Sequence, residues 1–164
     1  MRGAVPLMMP SALKYVLGVD LDPGVFAGIE RTLQGLAVVR VCDTFESARR
    51  ELLRKAPDLL ITNLRLGAYN GLHLVYLAAG TCSSRCIVYI DHPDPAVVKQ
   101  VHEANAFCEL RSLLEMVVPA YVTGSLPERD RRDPALLGRI MPEGGRRTID
   151  GGRPPSRAID LGHV

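Results

Sequence analysis

The sequence predicts an α/β protein, a five-stranded parallel sheet with helices on both faces. Three observations predict it. Between Lys14 and Val122 short apolar runs alternate strictly with segments of helical period. The runs are continuously apolar, as strands buried on both faces require. The 164 residues, 47% hydrophobic and 23% charged, suffice for one core with some chain left over.

The predicted strands are "YVLGV" (15–19), "LAVVRVC" (36–42), "LLIT" (59–62), "CIVYI" (86–90) and "AFCEL" (106–110). The first helix has Asp22 as N-cap, Pro23 at its first position, and Val25, Phe26, Ile29 and Leu33 as its apolar stripe. The second is capped by Thr44 and lined by Phe45, Ala48, Leu52 and Ala56 before Pro57. In the third, Leu72, Val75, Tyr76 and Ala79 share a face and Gly80 ends it. The fourth takes Asp94 and Pro95 as cap and first position, with Val97, Val98, Val101 and Ala104 inward. The fifth starts at Ser112 and should bend or end near Pro119. Parallel strands need right-handed crossovers, so five such units form a three-layer α/β/α sandwich in the flavodoxin-like order 2-1-3-4-5. Chemistry in such sheets gathers at the strands' carboxyl ends, here Asp20, Asn63 and Asp91.

Several function classes lose support. No apolar run approaches the ~18 residues of a membrane span, and "MRGAVPLMMPSALKYV" is too interrupted by Pro6 and Pro10 for a signal peptide, so a cytoplasmic protein is expected. Cys42, Cys82, Cys86 and Cys108 suit buried reduced thiols, and "CSSRC" lacks a second pair with metal-site spacing. Residues 1–122 carry 12 basic and 12 acidic residues, so the net charge of +2 comes from the 8 basic and 6 acidic residues after them. A neutral body argues against a nucleic-acid face. Residues 1–13 form an N-terminal extension. Residues 123–164 form an Arg/Gly/Pro-rich tail whose composition predicts disorder, with "PALLGRI" as its best helical turn. No phosphate loop, nucleophile elbow or dinucleotide fingerprint occurs, so the chain is not expected to be an enzyme and no cofactor is expected.

Residues 14–122 resemble a receiver domain of two-component response regulators. The resemblance rests on "YVLGVDLDPGV", on "APDLLITNLRLGAYNGLHLV", in which the motif falls in register without gaps, and on the five-unit alternation. It implies a site where two adjacent acids after strand one and an acceptor Asp on strand three hold Mg²⁺, so that a carboxylate attacks a phosphoryl donor. A hydroxyl residue after strand four and a Lys near strand five would then grip the phosphoryl group. This chain departs from that pattern almost throughout. Asp20 matches the first acid, Leu21 replaces the second, and Asn63 stands at the acceptor position. Asp91 replaces the hydroxyl residue. A gapless alignment puts Ser112 at the Lys, and a one-residue slip would put Arg111 there.

The degenerate site therefore comprises Asp20, Leu21, Asp22, Asn63, Asp91 and Ser112. Asn63 either donates to Asp20 or Asp91 and locks the loop, or is a remnant of an unused site. Asp20 and Asp91, with His92, could instead form a remodelled cation site, Mg²⁺ included. The resulting expectation is a pseudo-receiver that binds a protein partner, such as a histidine kinase or another regulator, or a second copy of itself. The family's output face maps to residues 93–122, with Val97, Val101, Leu110 and Val117 as candidate partner contacts. The rival readings are a receiver phosphorylated at another Asp and a cation- or ligand-binding module of the same fold.

Overall fold

The computed structural model describes residues 12–81, 83–124, 130 and 132. Five strands, β1 (Lys14–Val19), β2 (Ala37–Cys42), β3 (Leu59–Asn63), β4 (Arg85–Ile90) and β5 (Phe107–Leu110), form one parallel sheet ordered β2-β1-β3-β4-β5. The helices are α1 (Pro23–Thr32), α2 (Phe45–Arg54), α3 (Leu72–Thr81), α4 (Pro95–Glu103) and α5 (Leu114–Thr123). A two-residue antiparallel ladder, Arg65–Leu66 against Tyr69–Asn70, tightens the loop after β3, and a 3-10 turn, Arg111–Leu113, leads into α5. The predicted class and strand order are both observed.

The strands alternate their side chains between two cores. On one face Leu17, Val19, Leu60 and Val88 meet Ala48 and Leu52 of α2, Leu74 and Ala78 of α3, and Val98 and Val101 of α4. On the other, Val16, Leu59, Ile61, Ile87 and Tyr89 meet Ile29 of α1 and Leu114, Val118 and Tyr121 of α5. The layering therefore follows from strands whose successive side chains face opposite sides and are apolar at most positions. Cys42, Cys86 and Cys108 are buried, and burial raises the Cys108 thiol to about 12, too high for a reactive thiolate at neutral pH. Cys82 lies outside the described residues.

The caps test the local reading. The Thr44 hydroxyl accepts from the Ser47 N–H at 3.2 Å in a reciprocal capping box, and the Asp94 carboxylate accepts from Ala96 N–H at 2.9 Å. Asp22 occupies the N-cap position of α1, but its side chain makes no cap bond. The α3 stripe also needs correction. Leu72 and Val75 are buried as expected, whereas Tyr76 and Ala79 face outward and Leu74 and Ala78 take their places. Nearly every position of "LHLVYLAAG" is apolar, so the sequence does not phase the helix. Ala56 falls beyond the end of α2 and is exposed, and α5 begins at Leu114 and runs through Pro119.

Asp130 and Arg132 lie in the stretch read as disordered, yet the Asp130 side chain is only 1% exposed and both residues are bonded to the domain. Composition misses this because the contacts are ionic and not apolar. The "PALLGRI" turn lies outside the described residues.

Candidate functional site

The carboxyl ends of β1, β3 and β4 converge as the topology requires, and they bring Asp20, Asn63 and Asp91 to one rim. Asp20 follows β1 in the left-handed region, φ 56°, which costs a non-glycine residue ~1 kcal/mol or more. Two backbone bonds hold it there. Its N–H donates to Cys42 C=O at 2.9 Å, and its own C=O accepts from the Tyr89 hydroxyl. Tyr89 is 1% exposed, and burial, with the Asp20 charge beside it, raises its pKa, so it stays a protonated donor.

Asn63 completes the connection between strands. Its amide nitrogen donates to Asp20 Oδ2 at 3.2 Å, and its amide oxygen accepts from the Arg65 N–H at 3.1 Å. One end therefore meets a carboxylate and the other a backbone donor, a pairing only an amide satisfies. Of the two bonds considered from sequence, the one to Asp20 forms. Gly71 closes the loop over this residue. A Cβ at position 71 would strike the Asn63 carbonyl oxygen, and the Gly71 N–H donates to Leu64 C=O at 2.8 Å.

Leu21, in the place of the second acid, turns inward. It is 8% exposed, joins the core with Val16, Ile29 and Tyr89, and a Cβ at Gly18 would run into it. The position is filled by apolar contact.

The cation at this rim is Arg111, the slipped alignment; Ser112 is exposed. The 3-10 turn after β5 carries Arg111 back across the rim. There its Nη1 donates to Asp22 Oδ2 at 2.7 Å, its Nε lies 2.7 Å from Asp91 Oδ1, and its guanidinium sits 5.4 Å from the centre of the Tyr89 ring. Partial burial disfavours the guanidinium's charge, but the bond it donates to Asp22 and the charge of Asp91 outweigh it and raise its pKa. Asp22 is thus committed to Arg111 instead of the helix end. His92 is exposed beside Asp91. Among the described residues, no group of three His, Cys, Asp or Glu side chains is arranged to hold a metal ion. Because Arg111 already pairs with both Asp22 and Asp91, calorimetric titration with millimolar Mg²⁺, Mn²⁺ or Ca²⁺ is expected to show no binding heat. Saturable heat in that range would establish a cation site that includes Asp20.

The proposed partner contacts divide. Val101 and Leu110 are 0% and 3% exposed and belong to the core, so neither can meet a partner; Val101 lies on the inward side of α4 and Leu110 ends β5 within the sheet. Val97 and Val117 are partly buried at the edges of the two cores. The exposed large apolar residue of α5 is Met116, at 70%, which sequence reading missed because most positions of α5 are apolar and leave its exposed face poorly marked.

Tyr89 and Arg111 are the site residues that sequence reasoning left unassigned or open. A tyrosine in an apolar strand carries no signal, and an arginine next to a serine leaves the register ambiguous.

No protein-family model matches the chain, and no curated protein does. Solved structures do. The chain is similar to a LuxR-family two-component response regulator from Aurantimonas sp., with 20% identity over 78% of this chain and 96% of that one, at a TM-score of 0.60. It is also similar to the signal receiver domain of the response regulator NarL from Mycobacterium tuberculosis, at 20% identity, 68% and 98% coverage and a TM-score of 0.55. The fold is a receiver fold. A third similar structure is a Burkholderia pseudomallei response regulator with a phosphorylated aspartic acid and a calcium ion, at 22% identity, 67% and 66% coverage and a TM-score of 0.55. Among the described residues of this receiver-like chain, no helix is long and apolar enough to cross a membrane.

Proposed function

We propose that the chain is a receiver-like module of a two-component or related signalling pathway that works by docking a protein partner, without phosphorylation of an aspartate. The observation that carries this reading is the closed rim. Asn63, at the acceptor position, bonds Asp20, and Arg111 bridges Asp22 and Asp91, so the chain's own side chains make the connections that a phosphoryl group and a metal ion make in an active receiver. An amide is not a nucleophile toward phosphorus at neutral pH, and Leu21 supplies no metal ligand. The module is built to hold one state. The similar Burkholderia structure, with its phosphorylated aspartate and calcium ion, represents the switch from which this site departs.

The docking face would be α4, β5 and α5, where Met116 of α5 is exposed and Val97 of α4 and Val117 of α5 are partly buried. Phosphorylation at Asp91 is the weaker reading, since that carboxylate is paired with Arg111 at 2.7 Å and has no neighbouring acid in the place of Leu21. Incubation with acetyl phosphate and Mg²⁺, read by intact mass, is expected to leave the mass unchanged. A phosphoryl increment mapped to Asp20 or Asp91 overturns the reading.

A further inference from the structure

β5 is an edge strand, and an edge strand presents unpaired N–H and C=O groups to any extended segment. Here the outward groups of Cys108 are taken by two side chains from beyond α5. Asp130 Oδ2 accepts from the Cys108 N–H at 3.4 Å, and Arg132 Nη2 donates to the Cys108 C=O at 2.9 Å. The pair docks as one unit, because Arg132 also donates through Nε and Nη2 to the two Asp130 oxygens, at 2.9 and 2.6 Å.

Each half of the unit meets a matching group on the domain. The Asp130 carboxylate lies 3.0 Å from His102 Nε2 on α4. The Arg132 guanidinium lies 2.9 Å from Glu109 Oε1 on β5, the same oxygen that accepts from the Tyr121 hydroxyl on α5. Glu109 is 3% exposed, and a carboxylate buried that deeply is costly without a cation beside it. His102, Cys108, Glu109 and Tyr121 thus prepare the edge for one carboxylate and one guanidinium two residues apart.

We propose that the β5 edge is a docking site for an Asp-x-Arg segment, occupied in cis by this chain's own Asp130 and Arg132 as a latch. A protein partner using this face must displace the latch and supply the same pair of charges. The contacts are polar and the Arg132 side chain is 35% exposed, so the latch is held by charge and by its short tether rather than by apolar burial. The inference goes beyond the proposed function and is independent of the chemistry at Asn63.

The test is fluorescence anisotropy with a labelled peptide of residues 126–136. It is titrated with the full wild-type chain and with the full chain carrying Asp130→Ala and Arg132→Ala. Emptying the site is expected to tighten peptide binding by about tenfold or more, since the peptide no longer competes with a tethered copy. A peptide with alanine at both positions is expected to bind neither chain. Equal binding to the two chains, binding that survives in the alanine peptide, or no binding to the emptied chain overturns the proposal. Protected β4 amides in the emptied chain show that it is folded, so loss of fold does not masquerade as loss of binding. Adding Glu109→Gln to that chain removes the partner of the peptide's arginine and is expected to weaken peptide binding. Amide exchange on the wild-type chain gives an independent reading. The Cys108 amide is expected to exchange slowly, and fast exchange there, with β4 still protected, removes the latch.

Discussion

Replacing Arg132 by alanine is expected to lower the unfolding free energy by about 3 kcal/mol, the scale on which breaking a buried ion pair strands its partner. The stranded partner is Glu109, 3% exposed on β5, which keeps only the Tyr121 hydroxyl once the guanidinium is gone. Urea denaturation of the full chain measures the loss. Glu109→Gln in the Arg132→Ala background removes the uncompensated charge and is expected to restore about 2 kcal/mol of it. If the single variant lies within about 0.5 kcal/mol of wild type, the Glu109 carboxylate does not depend on Arg132 and the reading of the network is wrong. The same network makes a pH prediction. Burial alone would raise the Asp130 carboxyl, but the bonds from Arg132, with the charges of Arg132 and His102, outweigh it and lower its pKa. A carboxyl with a folded pKa below its unfolded one stabilises fully above the unfolded value, ~3.9, and loses that contribution as pH falls through the folded value. The wild-type chain should therefore lose stability below about pH 4 more steeply than Asp130→Asn.

Asn63→Asp puts a carboxylate where the receiver resemblance sets the acceptor, and is expected to destabilise the chain by about 1–2 kcal/mol at neutral pH. The new carboxylate faces Asp20 at the position from which the amide donates at 3.2 Å, so a hydrogen bond becomes a like-charge contact. Repulsion of this kind raises the folded pKa of the introduced carboxyl above its unfolded value. The penalty is therefore full above the folded pKa and fades as pH falls toward ~3.9, the opposite direction to Asp130. Thermal melts across that range, compared with wild type, display the sign directly. The variant is also expected to stay unlabelled by acetyl phosphate, because Leu21, 8% exposed in the core, still provides no second acid for a metal ion. Labelling of the new carboxylate would show that Leu21 does not prevent phosphorylation at position 63.

The two effects differ in how visible they are in the sequence. Asn63 and Leu21 are legible because "PDLLITN" and "YVLGVDL" fix their own register. A buried parallel strand is continuously apolar, and the first polar residue after it marks the carboxyl end where chemistry gathers. Sequence likewise determined the five strand–helix units, the layer order, the Thr44 and Asp94 caps and the absence of an acceptor carboxylate at position 63. All of these depend on short-range periodicity or on residue identity at a strand end. The reading fails where the pattern is degenerate. An almost wholly apolar α3 has no phase, so the pattern turns Tyr76 and Ala79 inward while the structure turns them outward.

Only the tertiary structure decided which cation guards the rim and what lies against β5. Arg111 reaches Asp22 and Asp91 because a 3-10 turn swings a long side chain back over β4, and the distance it spans bears no relation to separation along the chain. Asp130 and Arg132 sit in a charged stretch whose composition argues for solvation. They are held in place because the edge strand leaves Cys108 unpaired and Glu109 without a counter-ion. Periodicity records which faces are apolar. It does not record which buried polar group will need a partner, and that need exists only once the sheet has formed.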